Sequence, residues 1–360
     1  MKQNIYLFSD TLIKRKDHSI ICEKVCKDDN EAEEDTWEEN EKEEYVLGED
    51  IEIPAGDKKY IPIESIESIL SFGSIRFNSR FLYFLSQNQI PLHVFSFKGN
   101  YAGSFLPSER QNSGSILIAQ ALLFRNQLKR LEIAKQFVLS AISNAAANLK
   151  YYFNRRASLC DDIQQLQEIK EYVCHADSIA ELMGLEGTAK KCYYSSWKRI
   201  FNYPIDFTTR VRNPPNNLVN ALISYGNMIV YSTCLNEIYH TRLYPEIGFL
   251  HEPGEAKLSL SYDIAEIFKP LITDRAIFKV INKNIISESD AIIKNGRCIL
   301  KKTARIAFAQ EIENKLLTKI QIEGKEKRMS YRRLVRQECY KLLNYITNSR
   351  YAKIYLCLII

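Results

Sequence analysis

No stretch of this 360-residue chain approaches membrane-spanning length in apolar residues, and its first residues lack the basic, apolar and small-residue order of a secretory signal. The apolar tail Ile354-Tyr-Leu-Cys-Leu-Ile-Ile360 is too short to span and is expected to dock on the fold. The nine cysteines are odd in number and scattered, which argues against a disulfide framework. Cys22 and Cys26 have no second pair at zinc spacing, so a structural zinc module is not expected there. These absences predict a soluble, cytoplasmic protein with reduced thiols and no membrane partner. No internal repeat is visible. Histidine is scarce, with five residues, and His18, His93, His175 and His240 stand outside any acidic motif. His240, one turn after Glu237, is the strongest decoy among them.

Hydrophobic residues make up 46% of the chain and aromatic ones 11%, enough for substantial cores, and the length favours two domains. The net charge of +5 conceals an asymmetry. Residues 28–50 hold thirteen acidic side chains against one base, Lys42, which leaves 48 Lys and Arg against 31 Asp and Glu elsewhere. A body carrying +17 expects a polyanionic partner, nucleic acid before membrane. The acidic stretch reads as a solvated loop; shielding of a basic surface by nucleic-acid mimicry is the sharper alternative.

Residues 1–105 read as a β-rich N-terminal domain with the acidic insertion 28–50. Short β-prone runs lie at 4–9, 11–15, 19–22, 59–63, 68–72 and 91–96, with a helix at 79–87. From about residue 115 apolar residues recur at helical spacing, so 106–360 is expected to be a larger, all-α domain. Helical character covers 117–139, 163–173, 178–183, 218–239, 258–268 and 271–281, with a basic helix at 325–341. The linker is expected within 103–114. The whole is an α+β protein.

Chemistry concentrates in Gly248-Phe-Leu-His-Glu-Pro-Gly254 and the following Ser259-Leu-Ser-Tyr-Asp-Ile-Ala-Glu-Ile-Phe-Lys-Pro270. His251 comes from a Gly/Pro-rich turn. Asp263 and Glu266, three residues apart, project from one face of a helix that is otherwise largely apolar. Carboxylates there need a cation, donors or a proton, and a converging histidine suits a divalent metal and phosphate chemistry. Glu186, between Gly184 and Gly187, is the candidate third ligand, read as lying at a helix start. Arg210, Arg212, Lys257 and Arg275 are candidate phosphate contacts. Tyr225 and the 213–220 loop, Asn217 included, are candidate DNA contacts, as is the basic cluster at 327–336, otherwise a solvated face.

Four motifs then fall in one order: Gly184-Leu-Glu-Gly187 with Tyr193-Tyr194; Asn213-Pro-Pro-Asn-Asn-Leu-Val-Asn220; Gly248-Phe-Leu-His-Glu-Pro253; and Leu260-Ser-Tyr-Asp-Ile-Ala-Glu-Ile-Phe-Lys-Pro270. Together they resemble the CRISPR-associated adaptation endonuclease and integrase family, the first of the Cas proteins by name. The resemblance spans essentially the whole chain, apart from the acidic insertion. It implies a metal-dependent DNA enzyme that inserts short fragments as new spacers by 3′-hydroxyl transesterification. It places metal ligands at Glu186, His251 and Glu266, with Asp263 close by, and Mg²⁺ or Mn²⁺ as the ion. Lys269 stands where an arginine is common, keeping the charge and losing the forked phosphate geometry. The implied partners are double-stranded DNA (spacer precursor and CRISPR repeat), a second copy of the chain paired through the N-terminal lobes, and a small ferredoxin-like adaptation protein. The alternatives are a DNA-binding scaffold with a decayed site, and a transposase or other metal-dependent nuclease with acids on a central sheet.

Overall fold

The structure, a computed structural model, describes residues 2–24, 58–96, 101–107, 114–154, 158–254, 258–322 and 327–348. The acidic insertion 28–50, Lys257, the segment 108–113 of the expected linker and the tail 349–360 lie outside them. Two compact units follow one another, Met1–Ser108 and Glu109–Ile360.

The first unit contains two four-stranded sheets. Strands β1 (Gln3–Leu7), β2 (Thr11–Lys16), β3 (Ser19–Lys24), β4 (Lys58–Pro62), β5 (Ile66–Ser71) and β6 (Ile75–Arg76) precede helix α1 (Ser79–Gln87). Strands β7 (Leu92–Phe95) and β8 (Tyr101–Phe105) follow it. One sheet runs β1-β5-β7-β8, with only β8 antiparallel to its neighbour, and the other runs β4-β3-β2-β6. Asn78 caps α1 by accepting from the Phe81 amide, and Phe81, Phe84 and Leu85 share one core with Ile13, Ile20, Ile66 and Ile69. His93 belongs to this unit's interior, with Nδ1 2.5 Å from Ser104 Oγ, and burial pushes its pKa down to about 4. It is a core residue.

The second unit is mostly helical: α2 (Gly114–Arg125), α3 (Gln127–Phe153), α4 (Cys160–His175), α5 (Ile179–Ser196), α6 (Leu218–Tyr239) and α7 (Ser259–Phe268). A π-helical turn, Pro270–Asp274, leads into α8 (Arg275–Asn282). The hairpin of β9 (Ala291–Lys294) and β10 (Arg297–Leu300) comes next, then α9 (Lys302–Leu317). The short ladder of β11 (Lys319–Ile320) with β12 (Met329–Ser330) precedes α10 (Tyr331–Thr347). These strands correct the expectation of an all-α domain. Asn295 and Gly296 both have positive φ, the two-residue turn that joins twisted antiparallel strands. The strands they join are only four residues long, which hides the hairpin among helices.

Helix α6 is buried along most of its length. By composition it is long and apolar enough to cross a membrane, yet 83% of its most apolar window is buried inside the protein. Asn217, accepting from the Asn220 amide at 2.9 Å, starts it. Asn126 likewise caps α3 and splits the single long helix expected over 117–139. Helix α9 buries Ala304, Phe308, Ile312 and Leu316 at four-residue spacing, but buried Arg305, Glu311 and Glu313 among them mask that stripe in the sequence. The basic helix expected over 325–341 starts at Tyr331 and turns charges inward: Arg332 bonds Glu313 at 2.6 Å, and Arg336 bonds Glu237.

Candidate metal centre

Helices α5 and α7 and the turn 248–254 converge on one site. Glu186 lies in the middle of α5 rather than at its start. The cap is Ser178, which accepts from the Glu181 amide at 3.2 Å, so the helix is already propagating when it reaches the glycines. A Cβ at Gly184 or Gly187 would meet nothing within 4 Å, so close packing against the rest of the protein does not explain them.

The histidine turn is held from three sides. On α2, Gln120 Nε2 donates to the carbonyls of Tyr244 at 2.9 Å and Ile247 at 2.7 Å. On α3, Arg130 Nε donates to Phe249 O at 2.8 Å, and its guanidinium pairs with Glu252. On α7, Ser259 Oγ accepts from the Gly248 amide at 2.8 Å. Gly248 itself cannot be larger here, since a Cβ would lie 2.7 Å from Asp263 Oδ2 and 2.8 Å from the Ser259 carbonyl carbon.

Asp263 is fully buried and its carboxylate is committed to this turn. Oδ2 accepts from the amides of Phe249 and Leu250, and Oδ1 accepts from the His251 amide at 3.0 Å and from its ring Nδ1 at 2.7 Å. Such a carboxylate orients an imidazole and leaves Nε2 as the nitrogen available to a ligand. Burial pulls the His251 pKa down, but the bond and charge of Asp263, with Glu266 and Glu186 beyond, hold it above its ordinary value. Asp263 therefore positions His251 through these bonds, with both of its oxygens already engaged.

Glu266 and Glu186 face a cavity of about 40 Å³ that Lys190, Lys269, Tyr194 and Asp274 also line. The Lys190 ammonium bridges the two acids, 2.6 Å from Glu186 Oε1 and 2.9 Å from Glu266 Oε2. Lys269 takes the other oxygen of Glu266 at 2.6 Å and packs over the Tyr231 ring, 4.6 Å from its centroid. Burial would raise the Glu266 pKa, but Lys190 and Lys269 override it and hold the carboxyl well below its usual range. Among the described residues, no three His, Cys, Asp or Glu side chains stand together as a ready cation cage. The donor set nevertheless fits a divalent cation: two carboxylates already grip one positive charge between them, and an oriented imidazole stands beside them.

Behind the acids, α3 secures the end of α7 and the π-helical turn. Asn144 donates to Ile267 O at 3.0 Å, and Asn148 donates to Pro270 O at 2.7 Å and to the Tyr193 hydroxyl at 2.9 Å. Asn148 Oδ1 accepts from Arg275 Nε at 2.6 Å. Sequence reasoning does not single out Lys190, Asn148 or Asp274. Only Lys190 carries a signal, standing four residues after Glu186, the spacing of a helical ion pair.

The remaining candidates scatter. Lys269 is buried on Glu266, and Tyr225 is 7% exposed near Phe308, so neither offers itself to DNA as placed. Asn217 is the buried cap of α6. Arg210 bonds Val211 O, Asn220 and Ser224, and Arg275 bonds Asn148 and Tyr331. Arg212 is exposed.

An α+β unit is thus followed by a mostly helical unit that gathers acids from two helices and a histidine from the turn before α7. Residues 41–314 match the family model described as CRISPR associated protein Cas1, and the chain belongs to that family. The CRISPR-associated endonuclease Cas1 of Fusobacterium nucleatum is 37% identical over 350 residues, 97% of this chain and 95% of the relative. A solved Cas1 protein from Thermotoga maritima superposes with a TM-score of 0.77 at 33% identity, covering 96% of this chain and 97% of that one. A casposase solved bound to an integration product shares the fold, with a TM-score of 0.78 at 21% identity over 98% of this chain and 92% of that one.

Proposed function

We propose that this member of the Cas1 family joins short DNA fragments to a CRISPR repeat, and that Glu186, His251 and Glu266 hold the divalent cation for that reaction. The observation that carries this reading is the convergence of Glu186 and Glu266 on one positive charge beside an imidazole oriented by Asp263. A Mg²⁺ or Mn²⁺ ion would supply Lewis acidity at the phosphodiester, and the mixed nitrogen–oxygen donors suit Mn²⁺ at least as well as Mg²⁺.

The chain's own residues do the positioning. Asp263 fixes the imidazole tautomer, and Asn144 and Asn148 fix the turn that follows Glu266. In strand transfer, the 3′-hydroxyl oxygen of the fragment bonds to phosphorus at the repeat edge. The bond from phosphorus to the repeat's 3′ oxygen breaks, and the hydroxyl proton passes to that leaving oxygen through solvent. With water as the nucleophile the same site cleaves DNA. Family resemblance adds a second copy of the chain and a small ferredoxin-like protein as partners.

The test is half-site integration of a labelled fragment into a repeat-bearing plasmid, with the adaptation partner, in Mn²⁺ or chelator. His251→Ala is expected to lower strand transfer at least about a hundredfold, the scale of a lost metal ligand or its support, while DNA binding survives. Equal integration by variant and parent would overturn the ligand assignment.

A further inference from the structure

The geometry points to Lys190 as a resident counter-cation that a divalent metal displaces from Glu186 and Glu266; this rests on the metal reading above. Each oxygen of Glu266 faces an ammonium, Oε1 that of Lys269 at 2.6 Å and Oε2 that of Lys190 at 2.9 Å. A cation approaching this carboxylate meets two positive charges, and its arrival is favoured when one of them withdraws.

The two lysines are not equally held. The Lys269 side chain is 10% exposed, lies one helical turn from Glu266 and is stacked on Tyr231. Moving it means leaving an aromatic face in a buried site. Lys190 comes from the other helix, and its side chain, on a flexible four-carbon stem, is 24% exposed. It also bridges the two proposed ligands, where Lys269 touches only one.

Charge gives the same answer. Glu186 and Glu266 are balanced by Lys190 and Lys269, so a divalent ion added with both ammoniums in place would leave two uncompensated positive charges in a largely buried pocket. Releasing Lys190 removes one of them to solvent. The bridge thus preassembles the two carboxylates and lowers the apparent affinity for the ion that replaces it. A monovalent ion gains little by the exchange, which biases the site toward divalent ions.

The experiment measures Mn²⁺ binding by calorimetry on the full chain, comparing the parent with Lys190→Met and His251→Ala. Lys190→Met is expected to bind Mn²⁺ about tenfold more tightly, to melt lower in chelator, and to gain more from added Mn²⁺ than the parent. An unchanged or weaker affinity in Lys190→Met, with the parent binding Mn²⁺ through His251, overturns the exchange alone. No Mn²⁺ binding by the parent that His251→Ala weakens overturns the metal reading and the exchange with it. Lysine acylation of the parent, read by mass spectrometry, decides the matter if Lys190→Met does not fold. Labelling of Lys190 is expected to rise several-fold with Mg²⁺, and no rise overturns the exchange.

Discussion

Two buried aspartates near the site solve the desolvation problem in opposite ways. Asp263 receives three backbone amides and an imidazole. Asp274 has a carboxyl oxygen that accepts no hydrogen bond, and burial lifts its pKa to about 8, although Tyr193, Lys269 and Lys190 oppose the shift. In the unfolded chain this group titrates near its ordinary value, roughly 3.9. Between about pH 4 and 8 the folded chain holds a proton that the unfolded chain has released, so stability from this group falls as pH rises. Asp274→Asn keeps an acceptor for Tyr193 and removes the ionisation. Thermal melts in chelator are expected to show the variant gaining on the parent as pH rises from about 5 to about 8, by a few degrees. A gap independent of pH would mean that the carboxyl is already ionised in the fold. At this scale the His251, Asp263 and Glu266 motif is legible in sequence because one turn and one helix carry it within sixteen residues. Lys190 and Asp274 are not, because their roles exist only once α5, α7 and the π-helical turn meet. The burial of Lys269 is equally hidden: sequence records its charge and not its direction.

Among the elements, the histidine turn and α7 depend on each other through a near-contact of backbone and carboxylate. Gly248→Ala would drive a methyl group against Asp263 Oδ2 and the start of α7. Overpacking of this kind typically costs about 1–3 kcal/mol. The variant is expected to melt several degrees lower and to lose strand transfer out of proportion, since the same shift turns His251. Unchanged melting and activity would show that the turn has room the distances deny. Helices α1 and α6 keep the bounds their sequences predict, because Asn78 caps an amphipathic run and Asn217 a long apolar one. Helix α5 runs on to Ser196, past the 178–183 expected from its sequence. Its C-terminal half is retained by burial of Ala189, Cys192 and Tyr193, a tertiary effect that local propensity does not carry.

Across the whole molecule, the mixed α+β plan is legible from the change of apolar period near residue 115, and the charge asymmetry points to a polyanion before any motif does. The basic charges are less available than their number implies. Arg332, Arg336, Lys269 and Lys190 are all engaged with carboxylates of their own unit, so a count of Lys and Arg overstates the surface offered to DNA. The central claim is that Glu186, His251 and Glu266 form one cation site, with Asp263 behind the histidine. Anomalous diffraction from crystals of the full chain soaked in Mn²⁺ tests it most directly. A single strong peak is expected in contact with His251 Nε2 and with carboxylate oxygens of Glu186 and Glu266, with no contact to Asp263. A peak ligated by Asp263 in place of Glu186, or by none of the three, would contradict it.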